Sequence, residues 1–141
     1  ETVRKLGFVN VDRIYRESVQ AQNIQNKLDT EFAPRQRQLE KLQNDIEVSA
    51  QRADKLKAGK ARTAAMAELE RQRREFRGSQ AQLAEEYDLR RNEEFAALQN
   101  NANRVILELA KKEGYDLIVH DVIFIDARFD ITDKVIREMN R

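Results

Sequence analysis

The sequence predicts an α+β fold that is mostly α: a long antiparallel coiled-coil helical hairpin projecting from a small β-base that assembles between subunits. Three observations carry this. Charged residues make up 36% of the 141, apolar residues only 40%, and four Gly and one Pro leave little to interrupt helices. A soluble globule runs nearer about 25% charged and about 45–50% apolar, so the apolar positions here suffice for thin seams and not for a globular core. Finally, β-branched and aromatic runs sit only near the two chain ends, with about a hundred helix-patterned residues between them.

In chain order, KLGFVNV (Lys5 to Val11) reads as a short strand. Asp12 is placed to cap the helix that follows, on which Ile14, Ile24, Leu28 and Phe32 form a sparse apolar stripe. Pro34, within EFAPRQ, removes a backbone donor and crowds the preceding turn, which predicts a kink or break near Ala33. Beyond it Leu39, Leu42, Ile46, Ala50, Ala53 and Leu56 recur at three- and four-residue spacing, a seam of the coiled-coil type. KAGK (Lys57 to Lys60) marks the turn. Met66, Leu69, Phe76, Leu83 and Tyr87, then Phe95, Leu98, Ala102, Val105 and Leu109, carry the seam back. Acid-first pairs four apart, Glu31 with Arg35, Glu70 with Arg74, Glu86 with Arg90 and Glu108 with Lys112, are expected to support the helices by roughly 0.2–0.5 kcal/mol each.

After Gly114, Tyr115 to Val119 and Val122 to Asp126 read as two strands with a tight connection. Asp130 to Met139 reads as a closing helix capped by Asp130 or Thr132. The chain is expected to form one unit, with residues 1–34 and 99–141 as the base and 35–98 as the arm, its tip at 57–60. Three short strands cannot close on themselves. Oligomerisation through them follows from the need to cover bare sheet edges, and the expected interface is Leu6, Phe8, Val9, Val11, Leu117, Val119, Val122 and Phe124.

Chemistry of the catalytic kind has little to stand on. His120 is the single histidine and there is no cysteine; the glycines are too scattered for a phosphate loop, and no nucleophile–base pair is visible. No enzyme activity, metal or cofactor is expected. The charge is uneven instead. The net charge is +1, yet Gln51 to Gly78 holds nine basic and four acidic residues, leaving the remainder at −4. Lys55, Lys57, Lys60 and Arg62 cluster at the proposed tip as candidate contacts for anionic partners or acidic clients. Aromatic side chains do not interleave the cations, so no specific nucleic-acid binding is expected. No eighteen-residue apolar run is present. The chain opens at Glu1 without a basic-then-apolar leader, from which a signal peptide is expected to be absent or already removed.

Four landmarks in order, KLGFVNVDRI, EFAPRQ, EGYDLIV and DITDKVI, resemble the Skp/OmpH family of periplasmic chaperones for outer-membrane proteins. The resemblance spans essentially the whole chain. It implies a trimer with a central β-base and three arms enclosing a cavity, in which an unfolded outer-membrane protein is held without ATP in the periplasm. It also implies possible contact with anionic lipid or lipopolysaccharide, although this chain is nearly neutral where well-studied members are strongly basic. Two other readings fit the residues: a structural coiled-coil oligomer or tether without chaperone activity, and a nucleic-acid-binding basic arm.

Overall fold

The computed structural model describes residues Thr2–Arg141, and the chain divides into two units: residues 1–27 with 91–141, and residues 28–90. Its elements are β1 (Leu6–Phe8), α1 (Val11–Glu17), α2 (Val19–Lys55), α3 (Lys60–Glu113), β2 (Leu117–Val119), a 3-10 turn (Ala127–Phe129) and α4 (Thr132–Met139). Two long helices and one small sheet match the fold class read from the sequence.

The first unit has the only extended apolar core among the described residues. Val9, Ile14, Ala102, Val105, Leu109, Ile131, Val135 and Ile136 are buried together, with Tyr115, Ile118 and Met139 packed against them. β1 and β2 pair in parallel, Leu6 opposite Leu117 and Phe8 opposite Val119. A parallel pair needs a long crossover, and here nearly all of the helical chain provides it. Gly114, at φ +71°, ends α3 in the left-handed conformation that a side chain would strain. Asp116 then accepts hydrogen bonds from the Arg4 and Lys5 backbone N–H groups at 2.9 and 2.8 Å, pinning β1 beside β2. Lys134 donates to Glu113 at 2.8 Å and holds that carboxyl below its usual range, tying α4 to the end of α3.

Several boundaries differ from the sequence reading, each for a local reason. The first strand stops at Phe8, and Val11 opens α1, because Asn10 takes the cap: its side chain accepts from Arg13 N–H at 3.2 Å while Asp12 lies inside the first turn. An unforeseen break at Ser18 separates α1 from α2. Ser18 is fully buried, its hydroxyl accepts from Ala21 N–H at 3.1 Å, and the exposed Val19 N–H is taken by the Asn140 side chain at 2.9 Å. α4 starts at Thr132, with the Asp130 carboxylate accepting from Thr132 N–H at 2.8 Å.

Val122 to Asp126 forms no strand. One edge of β1 is used by β2, and on the other Phe8 C=O accepts from Ile131 N–H at 2.8 Å; the segment does not add to the outer edge of β2, and the sheet stays two-stranded. Pro34 brings no helix break. α2 runs unbroken from Val19 to Lys55 with Pro34 on its exposed face. An interior proline costs a helix about 3 kcal/mol or more; Pro34 itself is exposed, and α2 is held by its neighbours. Phe32 is buried on one side, and Arg35 on the other lies 4.6 Å from the Phe32 ring centre.

The second unit is an antiparallel helical hairpin. At the end remote from the turn, Leu28 and Phe32 are fully buried, and Phe32 meets Tyr87 edge to face at 5.3 Å. Arg90 binds Glu31 at 3.0 Å and Arg35 binds Glu86, both between the helices. The acids and bases expected to pair along one helix here bridge two. In the middle, Leu39, Leu42, Ile46, Phe76 and Leu83 are only half-buried. Ala53 and Leu69 close the seam again.

Candidate functional site

The turn of the hairpin is built by local polar bonds. Leu56 N–H reaches Ala53 C=O at 3.2 Å, and Gly59 adopts φ +151°. Gly59 C=O then accepts from both the Thr63 N–H (3.0 Å) and its hydroxyl (3.1 Å), starting α3. Arg62 donates to Leu56 C=O at 3.3 Å, satisfying a carbonyl that the end of α2 leaves without a helical partner. One of the four cations assigned to the tip is therefore also a helix cap. Lys55, Lys57 and Lys60 are exposed and have no ion-pair partner among the described residues.

The neighbouring charges sort themselves differently. Glu68 and Glu75 are engaged by Arg71, at 2.7 and 3.2 Å, and Glu70 by Arg73 at 3.3 Å. The Arg71 guanidinium holds the Glu68 carboxyl below its ordinary range. Three of the four acids in the basic segment are thus neutralised by arginines on their own helix. The net +5 of Gln51 to Gly78 comes mainly from the turn and from Arg52, Arg74 and Arg77. The seam also opens there. Leu56 and Met66, both expected to pack, are 37% and 39% exposed.

In the other unit, the start of β2 and the segment after it leave apolar side chains exposed. Leu117 is 45% exposed, Val122 41% and Phe124 85%, and Ile123 is wholly outside. Leu6, Phe8 and Val119 are half-buried and Val9 fully buried in the chain's own core, while Val11 lies in α1. The residues read together as one interface therefore fall into two sets: some already packed within the chain, and Leu117, Val122 and Phe124 open to solvent. Sequence reasoning missed Ile123, whose apolar side chain in a β-branched run was the available signal. No cluster of metal-ligating side chains occurs among the described residues, and no helix is long and apolar enough to cross a membrane.

A family model described as "Outer membrane protein (OmpH-like)" matches residues 5–139. The chain belongs to the OmpH-like family. Curated relatives include the chaperone protein Skp of Blochmanniella pennsylvanica, 29% identical over 96% of this chain and 85% of that protein. The Skp of Salmonella typhimurium is 30% identical over 82% of this chain and 71% of the relative, and that of Escherichia coli is 28% identical over the same shares. Among solved structures, an OmpH-like outer membrane chaperone of Caulobacter crescentus superposes with a TM-score of 0.86. It covers 99% of this chain and 86% of its own, at 14% identity, and so speaks for the fold alone. As a member of the OmpH-like family the chain is not an enzyme. The landmarks quoted from the sequence lie within the matched region.

Proposed function

We propose that this OmpH-like chain is an ATP-independent holdase of the periplasm, which encloses unfolded outer-membrane β-barrel proteins between helical arms and prevents their aggregation. The observation that carries the reading is kinship with chaperones named Skp over most of the chain. Physical features support it. A hairpin with charged outer faces stays soluble at length, and a half-buried seam offers apolar stems without one deep pocket. Unpaired lysines at the turn attract acidic clients or anionic lipid from a distance. Many weak contacts acting together hold a client without a fixed fit.

The working form in this proposal is a trimer, assembled where Leu117, Val122 and Phe124 leave apolar surface exposed. Two measurements test the scheme together. Light scattering of an unfolded β-barrel protein diluted from denaturant should be suppressed at one trimer per client, and native mass should read three chains. Phe124→Asp separates assembly from folding. Phe124 is 85% exposed in a single chain, so a charge there leaves the monomer's stability within about 0.5 kcal/mol. A buried interface would not accept an unpaired carboxylate. A helical, soluble monomer with lost holding activity is expected; an intact trimer in Phe124→Asp would remove this segment from the interface.

A further inference from the structure

We propose that the groove along one side of the hairpin unit binds an extended polypeptide segment carrying an aromatic side chain next to lysine or arginine. The inference deepens the holdase reading and rests on it, since it names the part of the client that this surface takes. The groove, of about 560 Å³, runs beside the half-buried middle of the seam and is floored by Leu39, Phe76, Leu83 and Tyr87, with the buried Phe32 beneath them. That volume lies within the roughly 300–1,000 Å³ of ordinary ligand sites. Its aromatic floor suits a ring, because aromatic pairs gain from edge and offset geometries of the kind Phe32 and Tyr87 already adopt.

Polar groups along the groove narrow the choice further. Gln36, Gln43 and Gln80 line it and make no hydrogen bond among the described residues. An amide side chain both donates and accepts, so it matches the free N–H and C=O groups of an unpaired strand without regard to sequence. The charged lining residues are Glu40 and Asp88, both carboxylates and both without an ion pair among the described residues. A cation beside the bound ring would meet them.

Two comparisons within the molecule sharpen the assignment. The groove on the opposite side of the seam, about 390 Å³, has Arg35 and Lys41 against Asp45 and Glu75, so its lining is balanced and offers no sign preference. The chain's own exposed segment Val122 to Phe124 is apolar enough to lie in the acidic groove, but Asp121 and Asp126 flank it. Like charges set against a second copy of this chain, and opposite charges favour a cationic client segment.

The chain contains no tryptophan, so a single tryptophan in a short peptide reports its own binding by fluorescence anisotropy. The probes are two serine- and threonine-rich peptides, one with tryptophan between lysines and one with tryptophan between glutamates. Unlabelled competitors carry phenylalanine or alanine between lysines. Wild-type protein should bind the lysine-flanked peptide more tightly, and only the phenylalanine competitor should displace it. Ala84 lies exposed in the groove lining, so Ala84→Phe should fill the space and weaken binding by roughly tenfold or more, with helicity and melting unchanged. Glu40→Gln with Asp88→Asn should cut the preference for lysine over glutamate by roughly three- to tenfold at low salt. If well-folded Ala84→Phe and the charge-neutral variant bind both peptides as wild type does, the groove is not the site. The aggregation assay on wild type runs beside it: failure there sinks the holdase reading itself, whatever the peptides do.

Discussion

The two ends of the hairpin unit are made of similar residues and behave differently. Away from the turn, Phe32 is 1% exposed against Tyr87, and two ion pairs, Glu31 with Arg90 and Arg35 with Glu86, join the helices on either side of that contact. Near the turn, Leu56 and Met66 are open, Glu68, Glu70 and Glu75 are taken up by arginines of their own helix, and the lysines have no partner. Charges that hold the chain together at one end are free to meet something else at the other. If the turn is the binding end, as proposed, stability and recognition lie at opposite ends of one pair of helices. Ala53 and Leu69 still close the seam just before the turn, so the opening is confined to Leu56 and Met66.

The sharpest way to break this comparison is to remove the anchor. Phe32→Ala deletes a fully buried ring, for which truncations cost about 3–5 kcal/mol. Leu56→Ala, at a site already 37% open, should cost less than about 1 kcal/mol. Urea denaturation of the two variants should therefore show a large and a small shift of the midpoint. Equal shifts would mean that the two ends contribute alike.

Much of the contrast could be read from the sequence, and the part that could not has physical causes. The three-and-four spacing of Leu28, Phe32, Leu69 and Leu98 located buried seam positions correctly, because helical period alone decides which side chains share a face. Period says nothing of how closely two helices approach. Leu39, Leu42 and Leu83 fit the pattern as well as Leu28 does and are only half-buried. Partner choice was likewise hidden: Glu31 and Arg35 are four apart, yet each finds an opposite charge on the other helix. The same limit applies to Val122–Asp126, whose β-branched composition favours a strand while the segment pairs with neither strand of the sheet. Composition describes a preference, and pairing needs a partner.

Pro34 sits two residues from Phe32 and so bears on the anchored end directly. The helix persists through it, on its exposed side, between Phe32 and Arg35. Pro34→Ala restores a donor to the Thr30 carbonyl four residues back and removes the ring's crowding of that turn, so stability should rise, by about 1–3 kcal/mol. Thermal melting followed by circular dichroism reads the gain. An unchanged or lower melting temperature would mean that the α2 backbone around Pro34 has adapted to the ring and that alanine relieves nothing there.

The smallest effect on stability should come from the turn, and it carries the most information about binding. Lys55, Lys57 and Lys60 are exposed and unpaired; Arg62 differs because its guanidinium caps Leu56 C=O. Changing the three lysines to Gln should move the melting midpoint by less than the equivalent of about 0.5 kcal/mol. Adding Arg62→Gln should cost up to about 1 kcal/mol more, as loss of one hydrogen bond to a helix end does. Association is where the lysines should matter. Three fewer charges at the turn weaken the long-range attraction that guides acidic clients or anionic vesicles, so the association rate should fall and its salt dependence flatten. Stopped-flow mixing across a salt series, with wild type, the triple and the quadruple variant, separates the two roles. The triple variant should carry nearly all of the kinetic change and the Arg62 step nearly all of the loss in stability. If rates and salt slopes are equal in all three proteins, the lysines do no more than keep the turn hydrated, and capture falls to the half-buried seam and its grooves.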